Sequence, residues 1–433
     1  MNRQSSTHLS ISINLMEKNS IENDANLTLE TALAIFKTGD FQSRWDVAKA
    51  IPAFGATAIA PLLALLESET EADDTELLWF IAKILGNVNH PAAIDSLIHV
   101  LQSTEQSEVL TVAAVALSNY GTESIVPLTT LLAQPATRLI AVQALAQVQH
   151  PAVVQPLLTV ANDALAEVRA AVIEALSHLH DSHFENSAIT SALQTALQDV
   201  DPSVRRAAVD ALGIQAEHGD RQTLTTMISP LLWDLNPQVG RQAAIALGRL
   251  GTAAAIEALS LGLQSVYASV ALKLDIVQAL VWIGTEAALV PLHQFLAASA
   301  SPTNSVAEPV VESAIIAALG RLENPETQQV ASQILLDLVH TQHPIAQTPS
   351  GQQNIARSLG QLRDPQSVDA LITMLSASNA AVRLHAIAAL KQLEFAGSYQ
   401  RLQSFAESPS LNLALKAGIE AALHEWQAHT SVE

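Results

Sequence analysis

Two stretches of the chain are near copies of each other, DPSVRRAAVDALG at Asp201–Gly213 and NPQVGRQAAIALG at Asn236–Gly248. They begin 35 residues apart and share seven of thirteen positions, including the proline near the start and Ala-Leu-Gly at the end. A helical unit that recurs at such a spacing is typical of repeat architectures. The duplication therefore predicts further copies of the same unit elsewhere in the chain.

The unit recurs along nearly the whole chain, and a small residue marks the end of the first helix in most copies. These landmarks are 28 to 40 residues apart, which is the spacing of paired-helix repeats. We interpret the small residue as a helix stop that permits a sharp turn. The landmarks are Gly55, Gly86, Ser118, Ala146, Ser177, Gly213, Gly248, Gly284, Gly320 and Gly360, with Lys391 at the same place in the last copy.

Each unit then consists of a first helix, a turn and a second helix, and about eleven such pairs fit the chain. Prolines that follow Asp or Asn, such as Pro202 and Pro365, are expected to begin helices whose exposed amides the preceding side chain caps. The sequence predicts an all-α fold, an α-solenoid in which the pairs stack as a right-handed superhelix. The solenoid is expected over 27–409, after a disordered leader (1–26) and before a capping helix with a tail (410–433).

The composition agrees with this fold class and narrows the range of partners. The chain is 49% hydrophobic but only 4% aromatic, so small and aliphatic residues supply most of the apolar surface. Its formal net charge of −21 disfavours nucleic acid, because a phosphate-binding surface needs clustered Lys and Arg. No membrane span is predicted, because Gln, Pro and Asn interrupt the charge-free runs, and a spanning helix needs about 20 predominantly apolar residues.

The chain lacks the residue patterns of common catalytic centres. It contains no cysteine, which excludes thiol chemistry and disulfides and is compatible with a cytoplasmic location. Neither the phosphate-cradle pattern nor the common serine-nucleophile patterns occur. The densest group of possible metal ligands is His178, His180, His183, Asp181 and Glu185. A polar turn between two helices is the favoured interpretation of this group, and no catalytic residue, metal or cofactor is predicted.

Large aromatic residues are rare in this chain and are therefore candidate anchors for a partner protein. These candidates are Trp45 and Trp233, and the competing interpretation is a core role. Trp282, in contrast, is predicted to be a core residue of its helix.

The acidic stretch Glu67–Glu76 is a second candidate surface, which would attract a basic partner over long range, although a solvated loop is the competing interpretation. Its candidate residues are Glu69, Glu71, Asp73 and Asp74.

Three arginines occupy the same repeat position, each directly after a valine. They are Arg169, Arg205 and Arg383. An anion-binding row is one interpretation of this pattern. We predict instead that these guanidinium groups pair with acids of neighbouring repeats or with backbone carbonyl groups, which their planar fork of donors suits.

The unit resembles the HEAT repeat, and specifically the HEAT-like repeats of phycobilisome lyases. The resemblance covers residues 40–405, and it is carried by the helix Asp201–Gly213 and the turn Gly360–Pro365. In that family, the E/F-type bilin lyases attach a linear tetrapyrrole to antenna proteins, whereas relatives act as chaperones or adaptors. Their early repeats often carry an aromatic-rich first helix, and LWFIAKILG at Leu78–Gly86 is similar. The resemblance therefore implies that Trp79 and Phe80 are candidate partner-binding residues. The Ala-rich middle and the few tyrosines depart from the lyase pattern.

Two functional hypotheses follow from these observations. The first is a non-enzymatic scaffold or adaptor that holds another protein, either a basic protein or a phycobiliprotein, on a concave face lined by the second helices. The alternative is a subunit or chaperone of an E/F-type bilin lyase, which would hold a phycobilin without a covalent bond. A third possibility, similarity to the di-iron deoxyhypusine hydroxylase, is rejected because the His-Glu pair occurs once, at His424–Glu425.

Overall fold

The computed structural model describes residues 27–70, 74–88, 90–179, 187–215, 219–300, 308–408 and 411–430. Within these ranges the chain is helical and contains no β-strand. It divides into two compact units, Met1–Leu157 and Leu158–Glu433. The predicted leader, 1–26, and the turn that carries His180 and His183 lie outside the described residues.

The first unit is built from helical pairs. Its helices are α1 (Leu29–Thr38), α2 (Phe41–Ala50), α3 (Ile59–Thr70), α4 (Thr75–Val88), α5 (Ala92–Ser103), α6 (Ser107–Ser118), α7 (Ile125–Leu131), α8 (Arg138–Gln147) and α9 (Val154–Thr159), in which the unit boundary falls. The first helices α2, α4, α6 and α8 pack in sequence on one another, and the second helices α3, α5 and α7 do the same. The apolar stripes are thus buried between two layers of helices.

The second unit continues the same pattern. Its helices are α10 (Ala166–His178), α11 (Ser187–Ala196), α12 (Pro202–Ile214), α13 (Arg221–Ile228), α14 (Pro237–Leu250), α15 (Ala253–Gln264), α16 (Val270–Ile283), α17 (Glu286–Ser299), α18 (Pro309–Leu319), α19 (Pro325–His340), α20 (Pro344–Gln347), α21 (Pro349–Leu362), α22 (Val368–Met374), α23 (Ala380–Gln392), α24 (Ser398–Ala406) and α25 (Leu413–Thr430). Eleven pairs are present in the described part of the chain, which confirms the predicted all-α solenoid of about eleven pairs.

The capped prolines begin helices as predicted. The Asp201 side chain accepts a hydrogen bond from Ser203 N at 2.8 Å, and Pro202 occupies the first position of α12. Asn236 caps α14 in the same way, with Gln238 N as the donor at 2.9 Å. The side chain satisfies an amide that has no partner inside the helix, while the proline lacks the donor that would otherwise be left exposed.

The small landmark residues do not generally stop their helices, so that part of the prediction is wrong. Gly86 and Gly248 lie inside α4 and α14, which continue to Val88 and Leu250. A Cβ atom at Gly86 would lie 2.7 Å from the Cα of Ala116, and one at Gly248 would lie 2.9 Å from the Cβ of Ala279. Glycine is therefore required because the next first helix approaches so closely. Gly284 does end its helix, at a left-handed φ of 65°.

One stretch, Phe41–Leu66, is long and apolar enough to cross a membrane by length and composition, with a mean hydropathy of 1.6 and 28% of its window buried. It is not one continuous helix, because Gly55 has φ 57° and ψ −138° between α2 and α3. It also contains charged residues, including Arg44 and Lys49. The break and the charges disfavour a spanning helix, and the absence of a membrane span stays a prediction.

Candidate protein-binding surface

Aromatic and lysine side chains form two short stripes on neighbouring first helices of the first unit. Phe41, Trp45 and Lys49 follow one another at intervals of four residues on α2, and Trp79 and Lys83 do so on α4. Residues four apart share one face of a helix. Because α2 packs against α4, the two stripes meet. We call Phe41, Trp45, Trp79, Lys49 and Lys83 the aromatic surface.

A buried phenylalanine supports this surface from below. Phe80 is 1% exposed, and its ring centroid lies 5.4 Å from that of Phe41, 6.2 Å from that of Trp45 and 5.1 Å from that of Trp79. The ring centroid of Phe36 also lies 5.9 Å from that of Phe80. Tilted and edge-to-face ring pairs of this kind contribute about 0.5–1.5 kcal/mol each beyond the burial of their area. The outer rings are therefore held in fixed positions.

Lys83 lies between the two tryptophans. Its ammonium nitrogen is 4.7 Å from the ring centroid of Trp45 and 4.9 Å from that of Trp79. A cation over an aromatic face is attracted by the negative charge density of the ring. Burial lowers the pKa of Lys83, because a less polar environment disfavours the charged form. Trp45 and Trp79 are half-buried, whereas Phe41 is 53% exposed, so apolar ring faces and cationic groups reach solvent together.

An ion pair between the buried Arg44 and the partly exposed Asp74 holds α2 against the start of α4. Arg44 donates to both carboxylate oxygens of Asp74, at 3.2 and 2.8 Å, and to Glu76 at 3.0 Å. The Arg44 guanidinium holds the pKa of Asp74 below its usual value, and Asp74 also accepts from Leu77 N to cap α4. A bidentate pair of this kind is strong and directional. It fixes the relative position of the helices that carry the aromatic surface.

The structure brings three of the predicted partner-binding residues together. Trp45 and Trp79 lie on the aromatic surface, and Phe80 lies beneath it as a buried support. Asp74 is engaged by Arg44. The remaining acidic candidates, Glu69, Glu71 and Asp73, lie outside the described side chains. A role of these residues in binding a partner stays a prediction.

Two tryptophans of the second unit are exposed. Trp233 is 49% exposed at the end of a short 3₁₀ helix, next to Leu235, which is fully exposed. Trp282 is 63% exposed, so the prediction of a core role for it is wrong. Leu280 is buried two positions earlier in α16, and two residues turn an α-helix by about 200°. The side chain of Trp282 therefore points away from the core.

The predicted pairing of the repeated arginines is confirmed. Arg205 forms two hydrogen bonds of 2.7 Å to the carboxylate of Asp234 in the next repeat, and it donates to the carbonyl groups of Asp199 and Val200. Arg169 binds Asp199 in the same bidentate way, at 2.7 and 2.6 Å. The arginines lower the pKa values of Asp199 and Asp234.

Arg383 uses only the second kind of contact, since it donates to the carbonyl groups of Ala377 and Ser378 at 2.8 and 3.0 Å. We call this series of bonds the arginine ladder. Each rung fixes the turn in front of its own helix, and the Arg169 and Arg205 rungs also join one repeat to the next.

A row of exposed apolar residues, which was not predicted from the sequence, lies beside the ladder. These residues lie in the turns before α10, α12, α14 and α16, and they are Leu165 at 56%, Val200 at 91%, Leu235 at 100% and Val266 at 68% exposure. The motifs Asp-Val-Asp-Pro (199–202) and Asp-Leu-Asn-Pro (234–237) indicated this exposure. In each motif an apolar residue lies in a turn between two polar side chains that pair or cap, so the apolar side chain does not reach the core. Phe41, Lys49 and Lys83 were also missed, although their spacing of four from the named tryptophans indicates a shared face.

Potential metal ligands are not clustered in the parts of the chain that the structure describes, where no group of three or more His, Asp or Glu side chains could hold an ion. Of the predicted histidine group, only His178 falls within those ranges, near the end of α10. The remaining members, from His180 to Glu185, lie outside them.

Comparison with solved structures finds helical solenoids of the same fold. A structure of Kap95p with RanGDP matches at a TM-score of 0.63 and 12% identity, over 92% of this chain and 60% of that chain. Importin beta matches at a TM-score of 0.58 and 13% identity, over 91% and 60%. The chain thus spans about 60% of the length of these structures. At such identities the likeness concerns the fold alone.

The expected resemblance to bilin lyases stays a prediction. The CpcE–CpcF complex of phycocyanin lyase from Nostoc matches with 20% identity over 64% of this chain and 97% of that chain, but at a TM-score of 0.29, which is too low to support an argument. No curated protein matches the sequence. The family model for HEAT repeats, however, matches residues 59–136, 125–189, 189–273 and 345–422. These matches cover most of the chain, which therefore belongs to the HEAT-repeat family.

Proposed function

We propose that this protein is a non-enzymatic scaffold and that the aromatic surface of its first unit binds another protein. The observation that carries the proposal is the arrangement of Trp45 and Trp79 around Lys83, with Phe41 exposed beside them. Fixed aromatic side chains lose little conformational freedom on binding, and they dominate the energetics of protein interfaces. A chain with 4% aromatic residues has concentrated several of them at this one surface.

The partner is expected to combine an apolar contact with basic side chains. Phe41 and the tryptophan edges offer an apolar area, while the net charge of −21 attracts a basic protein over long range and repels an acidic one. Lys49 and Lys83 are the local exceptions, and they favour a carboxylate or a carbonyl group of the partner directly at the rings. A basic protein with a small polar or acidic spot within an apolar patch fits this description.

Proteins with the same fold support the general part of this proposal. The matching structures include Kap95p with RanGDP and with Nup1, and Kap121p with Ste12p and with Nup53p. Stacked helical pairs offer long surfaces that suit the binding of proteins. From these structures we propose only that the present chain also binds a protein, and we do not propose that it binds the same partners.

The aromatic surface changes one feature of the hypothesis derived from the sequence. That hypothesis placed recognition on a concave face lined by second helices. Trp45 and Trp79 lie on α2 and α4, which are first helices. In the first unit we therefore propose the layer of first helices as the binding layer.

Site-specific photocrosslinking tests the proposal. The full chain carries p-benzoylphenylalanine in place of Phe41 in one sample and in place of Tyr267, which is 91% exposed in the second unit, in a matched control. We expect a stoichiometric crosslinked protein from position 41 in a lysate of the source organism. Raising the ionic strength from about 0.05 M to about 0.5 M should reduce its yield, since charge attraction is screened over such a range.

Crosslinking at position 267 in the absence of a product at position 41 would place recognition elsewhere. A small-molecule turnover by the purified chain, with no crosslinked protein at either position, would overturn the scaffold function itself. A scaffold function is also consistent with our proposal of a cytoplasmic location, for which the absence of cysteine is the supporting observation.

The bilin-lyase alternative concerns the same surface, because Trp79 and Phe80 carry the resemblance to lyase repeats. A linear tetrapyrrole would stack on Trp45 and Trp79, and stacking changes its absorbance. Mixing the protein with phycocyanobilin and comparing it with a Trp79→Ala variant therefore separates the two functions. An absorbance change that the substitution removes would favour the alternative.

A further inference from the structure

The arginine ladder is interrupted at α14, whose fourth residue is Gly240, and it resumes with a different residue at α16. Lys273 occupies the helix position that Arg169 and Arg205 occupy in earlier repeats, the fourth residue of the first helix. Its ammonium nitrogen lies 2.5 Å from Oε1 of Glu308, directly before α18. Lys273 is only 2% exposed. A lysine–glutamate pair thus replaces the arginine–aspartate pair.

This replacement leaves hydrogen-bonding capacity unused. Arg205 saturates both oxygens of Asp234 and binds two carbonyl groups of its own turn. An ammonium group is a compact charge and cannot reproduce that fork. Within the described residues, Oε2 of Glu308 is buried without a hydrogen-bond partner, and Glu308 is the only hydrogen-bond acceptor of Lys273. The turn before α16, which includes Val266, has no arginine clamp comparable to that of Arg205.

A cavity of about 430 Å³ lies at this modified rung. Its buried lining includes Lys273, Phe295 and Ser299, and the ammonium of Lys273 lies 5.5 Å from the Phe295 ring centroid. Its exposed rim includes Gln264 and Gln294, whose side-chain amides are hydrogen-bonded at 3.3 Å. The volume is within the range of small-ligand pockets, which combine apolar walls with a few fixed polar groups.

The polar groups define what would fit. Lys273 has two N–H donors beyond the one that Glu308 accepts, so it can bind a carbonyl oxygen in the cavity. A carboxylate is disfavoured there, because the carboxylate of Glu308 already neutralises the ammonium and a second negative charge would meet its repulsion. A cation is disfavoured by the ammonium itself. A neutral amide remains as the group that offers a strong acceptor without charge.

We infer that this cavity binds a carboxamide group, as carried by glutamine or asparagine. The apolar wall at Phe295 and Val266 accommodates the methylene groups of such a side chain, and the rim amides of Gln264 and Gln294 can bind the remaining amide atoms. The site belongs to the second unit and is independent of the aromatic surface. It would hold either a glutamine residue of a polypeptide or free glutamine.

Matched probes test the inference on the full chain. N-acetyl-L-glutamine methylamide and N-acetyl-L-glutamate methylamide have nearly the same shape and differ in charge, and L-glutamine separates the free amino acid from the peptide form. Binding is measured by saturation-transfer NMR titration at pH 7. We expect the glutamine amide to bind at least about tenfold more tightly than the glutamate analogue, because the carboxylate of Glu308 repels a second carboxylate in the cavity.

Two substitutions give opposite predictions. Lys273→Arg restores the fork, fills the cavity and should abolish binding of the glutamine probe without lowering the melting temperature. Glu308→Gln removes the negative charge and should reduce the preference for glutamine over glutamate to below about threefold, because the repulsion that excludes a carboxylate is lost. The second variant keeps the test decisive if the first one folds poorly.

Equal binding of the two peptide probes to the unmodified protein would overturn the inference, as would unchanged binding by a folded Lys273→Arg variant. Preference for L-glutamine over the peptide form would assign the site to the free amino acid. Binding of the glutamine probe by a protein that crosslinks no partner at position 41 would support the cavity and contradict the proposed scaffold surface, so the two failures are distinguishable.

Discussion

The first helices α2 and α4 of the first unit and α12 and α14 of the second are joined by the same kind of bond. Arg44 reaches Asp74 across 30 residues, and Arg205 reaches Asp234 across 29. The surroundings differ, because α2 and α4 carry the aromatic surface, whereas α12 and α14 are rich in alanine and follow turns with an exposed apolar residue. The comparison teaches that the bond between repeats and the surface built on it are separate features, and that the repeat can change one and keep the other.

The largest effect is expected from breaking the second bond. Asp234→Ala leaves the guanidinium of Arg205 without its carboxylate in a mostly buried position, and such a loss costs about 3–5 kcal/mol. Hydrogen exchange of α12 and α14, measured by mass spectrometry, should show this loss locally. Asp369→Ala is the control, because its pair with Arg401 is about half exposed and such pairs are worth about 0–1 kcal/mol. Similar exchange in both variants would contradict a structural role for the ladder.

A smaller loss is expected when the ladder is weakened and not removed. Arg205→Lys converts this rung to the type found at Lys273, and it removes the bidentate geometry and the bonds to the Asp199 and Val200 carbonyls. Three of the four hydrogen bonds of Arg205 are lost. With a net value of about 1 kcal/mol for each hydrogen bond, the free energy of unfolding should fall by about 3 kcal/mol in urea titrations. An unchanged value would mean that an ammonium group satisfies the turn as well as a guanidinium does.

Much of the fold could be predicted from the sequence, because each repeat specifies its helices locally. The proline and its capping residue at Asp201 and Asn236 determine where helices begin, without reference to distant parts of the chain. The role of Gly86 and Gly248 could not be read in this way. These glycines are required by the close approach of Ala116 and Ala279 in the next repeat. The distance between the two helices becomes visible only when the helices are packed.

The candidate surface shows the same division between local and long-range information. Trp45 was identified as a rare residue type and Trp79 by the family resemblance, but their meeting around Lys83 depends on how α2 packs on α4. The exposure of Trp282 was misjudged, because an aromatic residue in an apolar run such as QALVWIG was assumed to face the core. The face of α16 that is buried is determined by its contacts with neighbouring helices. The sequence therefore identified candidate residues, but it did not determine which side of a helix they occupy or which residues they contact.

Acid should weaken both bonds between repeats. Arg44 and Arg205 lower the pKa values of Asp74 and Asp234 below the ordinary 3.8. A carboxylate with a depressed pKa in the folded state stabilises it fully above the unfolded pKa, and this contribution is lost as the pH falls through the folded pKa. Thermal melting between pH 6 and pH 3 should therefore show a falling midpoint below about pH 4.

The variant Asp234→Asn isolates the second-unit part of this acid sensitivity. It should be less stable than the unmodified protein at pH 6. The difference should narrow as the pH falls below the unfolded-state pKa of 3.8, because the unfolded unmodified chain then binds a proton at Asp234 that the folded chain, with its lowered pKa, resists. A difference that stays constant with pH would show that Asp234 acts through hydrogen bonding alone. The contribution of Asp74 remains in this variant, so the two units can be separated.

The smallest effect on stability is expected at the aromatic surface itself. Phe41 is 53% exposed, and Phe41→Ser removes its ring contacts with Phe80 and Trp45, which should cost about 1 kcal/mol. Leu235→Ser, at a fully exposed position of the second unit, is the control and should change the free energy of unfolding by less than about 0.5 kcal/mol. Phe41→Ser should nevertheless reduce partner binding at least tenfold, on the scale of about 1.4 kcal/mol for an interface anchor.

A loss of stability above about 3 kcal/mol, as expected for a buried phenylalanine, would instead make the ring of Phe41 a core residue. In that case the aromatic cluster would serve to join α2 to α4, as the arginines do elsewhere, and the distinction between the two regions would disappear.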